Sequence, residues 1–176
     1  MPGTEAAKTL ERRGRELEPG TPGRAAYLCH AAEQWLMEDE LDRARPCLEE
    51  AVRDGGSAYV DPRAALVDAL LAGGETTRAD DLLTELRRDI PRGRARGEVH
   101  GFVGESLEEH GRLKEALRWF TSGVTRAELD GDIDDTSLLG RFRVRRELEL
   151  PHDTYDDMAE SFRANYLSQM AESVER

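Results

Sequence analysis

Long apolar runs are missing from this chain, and so are most of the patterns that chemistry uses. No stretch approaches the roughly 18 apolar residues of a membrane-spanning helix. The opening Met1-Pro2-Gly3-Thr4-Glu5 holds no apolar signal core. A cytoplasmic protein with no membrane contact is therefore expected. Cysteine is confined to Cys29 and Cys47, with no C-x-x-C spacing, so a reduced structural pair is expected rather than a disulfide. The histidines, His30, His100, His110 and His152, are scattered, and none stands at ligand spacing from another His or Cys. There is no phosphate-cradling loop, dinucleotide fingerprint, H-E-x-x-H or G-x-S-x-G. No catalytic residues, no cofactor and no metal are expected. Positive charge is also in deficit. A net charge of −12 argues against general binding to nucleic acid or anionic membrane. Lysine is scarce while Ala, Arg, Gly and Glu abound, as in proteins from GC-rich bacteria.

What is present is helical periodicity. Charged residues make up 35% and apolar residues 38%, so the core is thin and helix surfaces are heavily charged. In Gly97–Ala127, His100, Val103, Gly104 and Leu107 fall at i, i+3, i+4 and i+7, on one face of a helix. Gly111 breaks the pattern. Ala116, Leu117, Phe120, Val124 and Ala127 then stripe a second helix. Small Gly104 and Ala116 suit a close approach of the two, with Phe120 filling the next layer.

The same order recurs upstream. Leu66-Val67-x2-Leu70, Gly74, Ala79-x3-Leu83 and Pro91 form one copy; Ala31-Ala32-x2-Trp35, Leu41, Ala44-x3-Leu48 and Ala51 form another. Ala44, Ala79 and Ala116 lie 35 and 37 residues apart. This resembles the tetratricopeptide repeat family, with its 34-residue period and its pattern W-x2-L-G-x2-Y, then A-x3-F, then P. The copies are degenerate: the second lacks the first-helix Gly, and the third has Glu128 where Pro is usual. The resemblance implies an all-α, right-handed solenoid of about three helix hairpins, at residues 25–58, 60–93 and 97–130, with helical caps at both ends. Residues 1–23 supply an N-terminal helix, capped by Thr4, and a Pro/Gly linker. Residues 131–150 read as a half-repeat, in which Leu139-Gly140 echoes Val103-Gly104. Residues 151–176 read as an amphipathic helix capped by Asp153, which either covers the open end of the stack or protrudes. The acidic run 130–135 spaces its carboxylates like the start of a calcium loop, but the sixth and twelfth places hold Asp135 and Arg141, not Gly and Glu. It is expected to cap the next helix.

Members of this family bind peptides or helices in a concave groove lined by the first helix of each repeat. Carried onto this chain, the resemblance assigns that lining to Cys29, Glu33, Leu36 and Met37, to Asp68 and Leu71, and to Glu98, Glu105, Glu108 and Glu109, with Arg141 and Arg145 near the last acids. The chaperone-binding members hold a peptide carboxylate with Lys, Asn and Arg. Cys29, Glu33, Ala64 and Asp68 stand in comparable places here, so that ligand does not fit. The expected function is a non-catalytic scaffold for a protein or peptide partner, basic and amphipathic in character. One alternative is self-association, giving a homodimer, through Tyr155, Met158, Phe162, Tyr166 and Met170. Another is a nucleic-acid-linked regulator using Arg87, Arg88, Arg92, Arg94 and Arg96 or Arg141, Arg143, Arg145 and Arg146. Those arginines make no basic face repeated in every unit.

Overall fold

A computed structural model describes the backbone of residues 2–95 and 98–174, with side chains to residue 168. The described residues form α1 (Pro2–Glu16), α2 (Arg24–Met37), α3 (Leu41–Asp54), α4 (Pro62–Ala72), α5 (Thr76–Asp89), α6 (Val99–Glu109), α7 (Leu113–Asp130), α8 (Asp135–Glu147) and α9 (Thr154–Val174). A single 3-10 turn, Ile90–Arg92, extends α5. There is no strand among the described residues, so the chain is all-α. None of these helices is long and apolar enough to cross a membrane.

Each helix packs on the next, and α4 also touches α2 and α6, while α6 touches α8. The exception is α5 and α6, which barely approach each other. Local sequence sets most boundaries. Asp61 caps α4 by accepting from the Arg63 amide at 3.0 Å, with Pro62 in the first turn. Asp134 caps α8 through the Ser137 amide at 2.9 Å, which is the capping role expected of the acidic run. Thr4, by contrast, lies inside α1, and its hydroxyl donates to Glu38 at 3.3 Å.

One turn is built four times. After α2, α4, α6 and α8, the residue in the left-handed region is Asp39, Gly74, Gly111 and Glu149, spaced 35, 37 and 38 residues apart. Each donates its amide to a carbonyl three residues back. Each following residue (Glu40, Glu75, Arg112, Leu150) donates to a carbonyl five back, at 2.8–3.0 Å. These are Schellman caps, which satisfy the last carbonyls of a helix and reverse the chain. Glycine makes the positive φ costless at two sites; Asp39 and Glu149 adopt it without that advantage. After the first three caps the next helix begins at once. After the fourth, Pro151, His152 and Asp153 intervene before α9.

The alanines that mark the period, Ala44, Ala79 and Ala116, are fully buried on α3, α5 and α7. Four residues on, Leu48, Leu83 and Phe120 are buried as well. Phe120 is closely confined on two sides. A methyl group on Gly104 of α6 or on Gly140 of α8 would overlap its ring. Phe120 thus lies between two bare backbones, and the absence of both Cβ atoms lets three helices meet. Beyond it, Val124, Leu138, Phe142 and Ala159 form a smaller apolar cluster that seats the start of α9.

Gly104→Ala and Gly140→Ala should each lower unfolding stability by about 1–3 kcal/mol, the usual cost of overpacking. Helix propensity alone would raise stability by about 1 kcal/mol, so the sign is diagnostic. Urea denaturation followed by circular dichroism measures it; a stabilised variant would show that the ring is not clamped.

Candidate interaction groove

Two clefts open along the faces of α2, α4 and α6. The first is lined by Cys29, Glu33 and Leu36 of α2, Ala65 and Asp68 of α4, Phe102 of α6, and Tyr59 and Val60 from the α3–α4 turn. The second shares Tyr59, Val60 and Phe102 and adds Glu98, Glu105, Arg126 and the loop from Asp130 to Thr136. Shared walls make them one trough with an apolar, aromatic middle and acidic ends. Helical spacing aligns it: Cys29, Glu33 and Leu36 fall at i, i+4 and i+7, and so do Glu98, Phe102 and Glu105.

Of the groove residues expected from sequence, Cys29, Glu33, Leu36, Asp68, Glu98 and Glu105 line this trough. Asp68 is partly committed within the protein. It accepts from the Ser106 hydroxyl at 3.0 Å and lies 3.5 Å from His110, tying α4 to α6. Met37 (77% exposed), half-buried Leu71, Glu108 and Glu109 stand outside its lining. Glu108 is instead held by Arg143, at 2.8 and 3.1 Å. Sequence reasoning missed Tyr59, 81% exposed in its turn, and the loop acids Asp130, Asp132, Asp134 and Asp135. An aromatic residue between Gly55-Gly56-Ser57 and Asp61-Pro62 was the available signal. Glu105 has its pKa raised, first by burial; Arg143 pulls the other way, and the carboxylates of Glu108, Glu109 and Asp134 add to the rise.

The placing of Arg141 and Arg145 beside the third-pair acids needs correction. Four residues apart on α8, they share a face, and that face meets α9. Arg141, 6% exposed, chelates Asp153 at 2.6 and 3.0 Å and reaches Asp156 at 3.5 Å. Arg145 binds Asp156 and Asp153, both at 3.1 Å, and the Pro151 carbonyl. Arg143, round the helix from both, is the one that meets Glu108 and Glu105. Asp153 caps α9 as expected, accepting from the Tyr155 and Asp156 amides, while Asp156 accepts from the Asp153 amide in return.

The stripe expected for self-association is divided. Tyr155 is engaged internally: its hydroxyl donates to Glu128 at 2.7 Å, and the Arg141 guanidinium lies 4.8 Å from its ring centre. Met158 and Tyr166 are 45% and 55% exposed, and Phe162 is half-buried. The start of α9 packs on α7 and α8, and residues 163–168 are exposed. Met170 lies beyond the described side chains. Cys29 and Cys47 are buried free thiols, both pushed up to about 12 by burial. Among the described residues no cluster of His, Cys, Asp or Glu is arranged to hold a metal ion.

Comparison of the chain with protein-family models, with curated proteins and with solved structures found no match.

The seat of α9 should depend on pH. The hydrogen bonds from Arg141 hold Asp153 down, to about 2. A carboxylate depressed in the folded state contributes its stability above the ordinary range near 4 and loses it as pH falls through the folded value. Hydrogen-exchange protection of residues 154–162 should therefore fall between about pH 4 and 2. Asp153→Asn should flatten that dependence, and Arg141→Ala should remove the protection at neutral pH while α2 to α7 stay protected.

Proposed function

We propose that this chain is a non-catalytic interaction module of tetratricopeptide type, a right-handed α-solenoid whose trough holds a basic, amphipathic segment of a partner protein. The solenoid reading draws on the stepwise packing order and on the fourfold turn; α8 and α9 then count as a fourth, looser hairpin. The observation that carries the function is the trough itself. Tyr59, Val60 and Phe102 offer an apolar anchor site between Glu33 and Asp68 on one side and Glu98, Glu105 and the Asp130–Asp135 loop on the other. Buried aromatic anchors dominate binding energy, and flanking charge sets partner choice and association rate. The reading assigns no catalytic residue.

Glu98→Lys with Glu105→Lys should weaken binding of a Lys- and Leu-bearing amphipathic helix by tenfold or more, with helicity unchanged. Glu108 is unsuited to this test because its change would also strand Arg143. Tyr59→Ala should weaken the same complex without altering its salt dependence. Because Glu105 binds its proton more readily than an ordinary carboxylate, affinity should begin to decline on acidification before ordinary carboxylates titrate. Titration calorimetry reads all three, and undiminished binding to the double variant would sink the proposal.

Exposed Met158, Tyr166 and Leu167 favour self-association as a second reading. Light scattering on Met158→Ser with Tyr166→Ser tests it: a wild-type dimer that becomes a monomer supports it, and a wild-type monomer dismisses it. The nucleic-acid alternative loses its α8 cluster, since Arg141, Arg143 and Arg145 are each paired with carboxylates.

A further inference from the structure

The loose junction between α5 and α6 has a consequence on the opposite charge. Elsewhere the second helix of a pair packs on the first helix of the next, α3 on α4 and α7 on α8. Here α5 stands off, and an open cleft lies between its end and α7. Ile90, Pro91, Leu117 and Trp119 give it an apolar floor. Trp119 is 3% exposed, its ring centre 5.9 Å from that of His100, and its indole N–H has no acceptor among the described residues.

The rim is basic. Arg87, Arg118 and Arg126 line it. The Arg87 guanidinium lies 5.1 Å from the Trp119 ring centre, and Arg118 donates to the Lys114 carbonyl at 3.2 Å. Among the described residues neither has a carboxylate partner. Arg126 pairs with Asp130 at 2.8 Å, an exposed bridge of little strength. In a chain of net charge −12, a concentration of arginine over an apolar floor is a local inversion.

We infer that the α5–α7 cleft is a second docking site, and that it takes an acidic amphipathic segment of a partner protein, its apolar face on Trp119, Leu117 and Ile90 and its carboxylates on Arg87 and Arg118. Charge complementarity selects this occupant; a basic segment would meet three arginines. Such a segment fills the place where α5 and α6 fail to pack and lies against Trp119. The cleft adjoins the acidic trough at His100 and Arg126, but its charge comes from Arg87 and Arg118, which the trough lacks, so the two failures can be told apart.

The test uses two labelled 14-residue helical peptides with the same leucine positions, one carrying Glu at its polar positions and one Lys. Binding is followed by anisotropy and by the two tryptophan indole N–H resonances in a 15N spectrum. The Glu peptide should bind, moving the Trp119 resonance and leaving that of Trp35, which is bonded to Glu11 at 3.0 Å. Arg87→Glu with Arg118→Glu, both exposed positions, should weaken it tenfold or more, whereas Glu98→Lys with Glu105→Lys should leave it unchanged. No binding of the Glu peptide, binding undiminished in the arginine variant, or a Trp119 resonance that stays in place would each overturn the inference. So would an arginine-dependent dimer in the absence of peptide, which would make a second copy the occupant.

Discussion

Much of this structure depends on how closely three backbones approach around one ring. Phe120 on α7 fills the space between Gly104 on α6 and Gly140 on α8. Interiors pack at crystal-like density, so the ring fixes the separation of both neighbours. That separation has consequences on the surface. Glu105 follows Gly104 directly, and Arg143 lies one turn beyond Gly140, so clamping the helices brings Arg143 to Glu108 and within 4.0 Å of Glu105. The same register sets Gly101 against Thr136 and Gly123 against Ser137. The acidic loop between α7 and α8 is thereby held beside Glu98 and Glu105, where it forms one end of the trough.

The repeated turn does for direction what Phe120 does for distance. A Schellman cap ends each first helix at the same point relative to its buried anchor. The carbonyls of Trp35, Leu70 and Leu107 accept the long hydrogen bond in three copies, and all three side chains are fully buried. The corresponding position in the fourth copy is Arg145, which cannot be buried as an apolar anchor. Its guanidinium goes to Asp153 and Asp156 instead, and α9 is held to α8 by ion pairs and capping bonds in place of a deep apolar seam. The three extra residues before α9 supply the carboxylate that makes this possible.

The same contrast explains what could be read from the chain. Buried periodic residues were legible: Ala44, Ala79 and Ala116, the small Gly104 at a close helix approach, and the breaks at Gly74 and Gly111 all follow from spacing and residue size, whereas Phe120, expected in the next layer, packs on Gly104 itself. The turns at Asp39 and Glu149 were not, because nothing in a non-glycine residue announces a positive φ. Half of the trough was legible as a helix face. Tyr59 was hidden because it lies in a connection whose path depends on how α3 packs on α4, and the loop acids because their position depends on the Phe120 clamp. Arg143 illustrates the limit most clearly. Sequence places arginine around every side of α8, and only the seating of α9 decides that Arg141 and Arg145 turn one way and Arg143 the other.

The charges, finally, are arranged rather than merely abundant. Arginine crosses junction after junction: Arg15 to Glu50 between α1 and α3, Arg45 and Arg78 to Glu75 and Glu49 between the first and second pairs, Arg112 to Asp80 between the second and third, and Arg143 to Glu108 between the third and α8. Each exposed pair contributes on the order of 0–1 kcal/mol, so they do not replace the core. What they do is consume positive charge at the junctions. With 37 acidic and 25 basic residues other than His, carboxylates must then remain in excess elsewhere, and the trough is where they collect. Beside the α5–α6 junction, where the two helices barely meet, Arg87 of α5 and Arg118 of α7 have no carboxylate partner among the described residues. A chain with a thin core and a large acidic surplus thereby carries an acidic trough and a basic cleft, each with an aromatic side chain in its wall, that meet at His100 and Arg126.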